Sequence, residues 1–209
     1  MKDGGQKMNK VFERVKEIVL KPRETWEKIK LEETTTNDLF KKYLLILAAV
    51  PAIANFLGRW IIGVRIPLPG AETFHFSFFG SLGSAIVGYV LTVVSVWVLA
   101  KVIVFLAPTF GSVKDELSAF KVAIYAFTPY LAAGVLYIFP SLSVLVLLAG
   151  LYSLYLLYMG LPIIMGTPKD KVLPYTVVVV IADILIWIVI SVISTPVIRI
   201  FGPDLMRGM

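Results

Sequence analysis

Residues 172–196 are predominantly apolar, long enough to cross a bilayer, and carry an aspartate, Asp183, about halfway along. Lipid offers a backbone no hydrogen-bond partners, so such a stretch is expected to be a helix; about 20 residues cover a hydrocarbon core about 30 Å thick. On a helical wheel at about 100° per residue, Thr176, Asp183, Trp187, Ser191 and Ser194 fall within about 80° of one another. Val178, Ile181, Leu185, Ile188 and Val192 lie opposite. A carboxylate facing lipid is costly, so the aliphatic side should face lipid and the Asp183 side other protein or water. The helix therefore belongs to a bundle.

Composition supplies the rest of that bundle. Of 209 residues 58% are hydrophobic and 16% charged, and the mean hydropathy of +0.84 is far above that of a soluble domain. The apolar runs predict an all-α, polytopic integral membrane protein with five transmembrane helices, near 39–63, 80–106, 117–139, 142–165 and 172–198. The division expected is an N-terminal amphipathic cytoplasmic segment over 1–38, a transmembrane domain over 39–201 and a short external tail over 202–209. No cleavable signal is expected, because the N-terminal segment is highly charged and lacks an apolar core.

The net charge of +6 does not call for nucleic acid, since eleven of the twenty Lys and Arg precede the first apolar run, interleaved with eight acids. If the N-terminus is inside, sixteen Lys and Arg lie on the cytoplasmic side and four (Arg59, Arg65, Arg199 and Arg207) on the far side. That bias predicts a multi-pass cell-membrane protein, N-terminus cytoplasmic and C-terminus external.

Ahead of the first span, Val11, Phe12, Val15, Ile18 and Val19 make one helical stripe opposite Lys10, Arg14, Lys16 and Glu17. Such a helix lies on the membrane surface or packs on the bundle. Pro22 suits the first turn of a second helix, with Trp26 and Ile29 on one side and Trp26 at headgroup depth. Thr34 to Asp38 is a helix-start signal.

In the first span Ala48, Ala52, Asn55 and Arg59 share a face with Pro51 between them. In the second, Gly80, Ser84 and Gly88 recur every four residues, a small-residue seam expected to let another helix approach closely; Lys101 lies off it, near the end. Between these spans Ile66, Leu68, Phe74, Phe76 and Phe78 alternate around Pro69-Gly70, as in a short hairpin, and His75, the one histidine, reads as a polar loop residue. Ser112 and Asp115 resemble a capping box before the third span. Pro129 should kink that span, with Thr128 re-satisfying a freed carbonyl. Tyr152, Tyr155 and Tyr158 read as interface anchors near the end of the fourth span. For Asp183 two arrangements are expected: hydrogen-bonded to Asn55 and reaching Arg59, or protonated and bonded to a Ser, Thr or Tyr of the second to fourth spans.

This arrangement resembles the Yip family, the Ypt/Rab-interacting small membrane proteins, in its prokaryotic branch. The residues that carry the resemblance are Pro22, Trp26 and Ile29; Phe127, Thr128, Pro129 and Tyr130; and the run through Tyr152, Tyr155, Tyr158, Gly160 and Pro162 to Pro168 and Tyr175. Eukaryotic relatives share an Asp-Leu-Tyr-Gly-Pro stretch and a Gly-Tyr pair. Here Asp38-Leu39-Phe40 is followed by two lysines, and Gly88-Tyr89 stands alone, so the resemblance does not carry Rab-type GTPase binding to this chain. It implies membrane trafficking or membrane organisation.

An enzyme needs a nucleophile with a base, or a metal cluster, and one histidine with no cysteine offers neither. No catalytic residues, metal or cofactor are expected. The reading is a non-catalytic scaffold in the lipid bilayer that binds anionic lipids or a protein partner through its N-terminal segment, with a homo-oligomer as a further partner. The alternative is a small transporter, channel or permease component using a polar intramembrane site around Asp183.

Overall fold

The computed structural model describes residues 2–65, 73–74 and 76–201. Among them five helices are long and apolar enough to cross a membrane: Thr36–Ile62, Phe78–Phe110, Glu116–Ile138, Ser143–Met165 and a fifth within Lys169–Phe201. Two helices precede them, α1 (Lys2–Leu20) and α2 (Pro22–Leu31). Every expected span is present, and each begins within a few residues of its expected start. Local chemistry sets several of these starts. Pro22 occupies the first turn of α2, where no N–H is needed. Thr35 accepts the Asp38 amide at 3.1 Å ahead of the first span, and Ser77 accepts that of Gly80 at 3.1 Å ahead of the second.

The third span differs from the capping box expected of it. Asp115 is itself the cap, its Oδ2 accepting the Ser118 amide at 2.8 Å. Ser112 points away, its hydroxyl 2.8 Å from that of Thr167. The cause is the turn at Gly111 (φ +66°), which carries the chain toward the end of the fourth span, where the Val113 amide donates to Met165 at 2.9 Å. The hydrogen bond from Ser118 holds the Asp115 carboxyl below the usual carboxylate range.

The third span is the hub, touching the first, second and fourth, and its residues 119–126 are all buried. Pro129 interrupts it as expected. The α-helix stops at Ala126, resumes over Thr128–Ala133 and tightens to a 3-10 helix over Gly134–Ile138. Thr128 Oγ1 donates to Ile124 O (3.3 Å) and meets Tyr43 Oη at 3.0 Å, while the Tyr130 amide donates to Ser153 Oγ at 3.3 Å. The polar groups released at the break thus find side-chain partners.

Close backbone approach occurs where the small-residue pattern did not place it. A Cβ added to Gly134 would lie 2.5 Å from Pro51 Cβ, and one added to Gly58 would run into the Tyr137 and Ile138 carbonyls, so the first and third spans make the tight contact. Gly80 is buried, but a Cβ on Gly88 meets nothing within 4 Å. Small residues permit approach; contact also needs a partner surface that fits, which Pro51 and the 3-10 turn provide here.

Between the first two spans, β1 (Val64–Arg65) and β2 (Thr73–Phe74) pair antiparallel with Val64 opposite Phe74. Ile66, Leu68, Pro69, Gly70 and His75 lie outside the described residues. Phe78 packs edge-on against Trp60 (5.1 Å between centroids) and Phe56 (5.5 Å), so part of the aromatic row faces the bundle.

Candidate functional site

Two places in the bundle hold charge away from bulk water, and they are built differently. The first joins α1 and α2 to the spans. Trp26 is fully buried: a Cβ added to Gly160 would lie 2.7 Å from its ring, and its edge meets Tyr125 at 6.3 Å. It faces the bundle rather than its surroundings, because Gly160 leaves a gap in the fourth span that an indole fills. Trp26 and Gly160, both carriers of the resemblance, turn out to be direct neighbours.

Lys121, 5% exposed, reaches out of the third span and donates to the Ile29 and Glu32 carbonyls, each at 2.8 Å. A lysine thus caps the C-terminal end of α2, where orphan carbonyls and the helix dipole favour a cation. Arg14, read as part of the solvated face of α1, instead pairs with Glu32 and lies 5.8 Å from the centre of the Tyr125 ring. Tyr152 donates to Val19 O at 2.8 Å and so anchors α1, while Tyr155 and Tyr158 are exposed. Pro162 lies inside the fourth helix, and Pro168 packs under Gly111.

The second place lies deeper. A cavity of about 330 Å³ is bordered by Asn55, Arg59, Ser84 and Tyr137, and one of about 450 Å³ by Asp183, Trp187, Ser95 and Ser153; Gly88, Thr92 and Tyr130 border both. Here Asp183 departs from both arrangements expected of it. Among the described residues it makes no hydrogen bond to Asn55, no ion pair with Arg59 and no bond to a hydroxyl of the second to fourth spans. The fifth span packs on the second and fourth, so Asp183 and Arg59 border neighbouring cavities without meeting. Arg59 turns to Phe76, its guanidinium carbon 5.2 Å from the ring centre.

The helical wheel holds only in part for the rest of the fifth span, since Trp187, on the Asp183 side, is 66% exposed. Val178, Ile181, Leu185, Ile188 and Val192 are exposed on the outer side, and Thr176 is buried. The side chain of Ser194 lies outside the described residues. Gly58, Gly134 and Lys121 were not singled out as contact residues. A lysine five residues into an apolar helix was the readable signal for the last of them.

The chain matches the Yip1 domain over residues 16–191. It is 25% identical over 158 residues to the inner membrane protein YohC of Escherichia coli K12, covering 74% of this chain and 80% of that one, and equally to YohC of Escherichia coli O6:H1. No solved structure matches. With the five spans, the proline-broken third span and the Trp26–Gly160 contact inside the matched region, this chain belongs to the Yip1 domain family.

Proposed function

We propose that the protein is a non-catalytic membrane organiser, oriented N-terminus in, whose N-terminal helices present a lipid-binding face at the cytoplasmic surface of the cell membrane. The observation that carries this is the apolar arc of α1, which is wider than its contact with the bundle. Val11 and Ile18 are buried, whereas Met8 and Phe12, on the same arc at about 100° per residue, are exposed. Lys16, about 40° from Phe12 on the same wheel, borders that exposed edge, and a cation there favours an anionic surface. The contacts of Trp26, Lys121 and Tyr152 would couple lipid engagement to the spans.

The chain has no cysteine, so single spin labels at Phe12→Cys and Glu17→Cys in anionic vesicles test the reading directly. Position 12 should be accessible to oxygen and shielded from a water-soluble nickel relaxant, and position 17 the reverse. Equal nickel accessibility at both positions would refute it. A second reading, a small transporter, is favoured by the paired cavities around Asp183 and Arg59.

A further inference from the structure

The larger cavity has a chemistry that selects its occupant. We infer that it binds a lipophilic organic cation, an aryl- or alkyl-substituted ammonium or phosphonium whose charge rests against the Asp183 carboxylate. This concerns binding, and holds whether or not the ligand is carried across the membrane.

Volume, charge and hydrogen-bonding capacity all point this way. About 450 Å³ falls in the range that takes drug-sized molecules. Among the described residues no Lys, Arg or His borders the cavity, and Asp183 is its one charged wall. Two of the nearby hydroxyls have already committed their protons to main-chain carbonyls: Ser95 to Thr92 at 2.8 Å and Ser153 to Ala149 at 3.1 Å. Ser153 also accepts the Tyr130 amide, so it is Ser95 that offers lone pairs towards a ligand, and a cation serves it better than an anion or a neutral acceptor. Trp187 and Tyr130 add aromatic walls, which attract cations through their ring faces. The remaining lining is largely aliphatic, so a strongly hydrated ion such as sodium would lose its water shell without enough oxygen ligands to replace it. Arg59, across the shared wall of Gly88, Thr92 and Tyr130, repels a cation from the smaller cavity and confines it to the Asp183 side.

The test is equilibrium dialysis of tetraphenylphosphonium against the full chain in nanodiscs, with tetraphenylborate as the anion of like size and shape. Saturable binding of the cation at one per chain is expected, with none of the anion. Asp183→Asn should weaken it at least tenfold. Gly88→Leu, whose Cβ would meet nothing within 4 Å at the border of the cavity, should do the same with an unchanged melting temperature. Arg59→Gln should leave binding intact or tighten it. Uptake no greater than in empty nanodiscs would overturn the inference, as would equal binding by Asp183→Asn, equal binding of the borate, or full binding by a folded Gly88→Leu. If Asp183→Asn does not fold, the Gly88→Leu and borate results decide alone.

Discussion

Lys121 and Asp183 are both ionisable residues inside spans, and the protein treats them in opposite ways. Lys121 is almost wholly covered and has two carbonyls at 2.8 Å; Asp183 borders a cavity with no bonded partner among the described residues. Their helices differ likewise. Of the most apolar window of the third span 67% is buried, against 11% for the fifth. A buried charge whose hydrogen bonds are satisfied fixes geometry, because any movement leaves it unpaired in a medium of low dielectric. A charge facing a cavity adds little to rigidity and is free to meet a ligand. The end of this bundle that carries α1 and α2 is therefore built to hold, and the middle of its fifth span to receive.

That contrast predicts a graded set of effects on thermal unfolding of the full chain in detergent. The largest belongs to Trp26→Ala, which empties a fully buried site between α2 and the fourth span and should cost about 3–5 kcal/mol. Deletion of residues 1–30 should likewise destabilise the bundle, since Ile18, Trp26 and Ile29 belong to one core with the spans. A melting temperature that survives Trp26→Ala would show that the dock is not structural.

Next comes Lys121→Leu, which strips both α2 carbonyls of their donor. Loss of charge-assisted hydrogen bonds of this kind costs about 1.5–3 kcal/mol, and amide exchange of α2 should quicken selectively. If instead the whole bundle loosens uniformly, the lysine supports more than α2.

A smaller effect is expected of Asp115→Ala, about 1 kcal/mol for a lost helix cap, and this one depends on pH. The folded-state carboxyl titrates below its ordinary value, so the stabilisation is present above the unfolded value of about 3.9 and fades as the pH falls through the lower folded value. The stability difference between wild type and Asp115→Ala should shrink only in that acid window. A difference that is constant down to pH 2 would assign the cap to geometry alone.

The least effect should come from the crevice. Gly88→Leu and Asp183→Asn are expected to move stability by no more than about 0.5 kcal/mol, since neither side chain is part of a packed contact. Gly134→Leu, forced against Pro51, is the contrast that shows a small residue in a tight one. A large loss in Gly88→Leu would close the crevice and remove the difference between the two regions.

The residue order alone determined the five spans, the proline break with Thr128 beside it, and the exposed aliphatic side of the fifth span. Each of these depends on properties a segment carries by itself: its length of hydrocarbon, its missing N–H, its helical period. Only the tertiary structure decided that Trp26 sits under Gly160, that Lys121 holds the end of α2, that Gly58 and Gly134 make the tight contact while Gly88 borders a cavity, and that Asp183 does not reach Arg59. In lipid one apolar helix face is nearly as well solvated as another. The choice among faces therefore falls to the fit of two surfaces and to the hydrogen bonds between them, properties that belong to pairs of segments and not to either one.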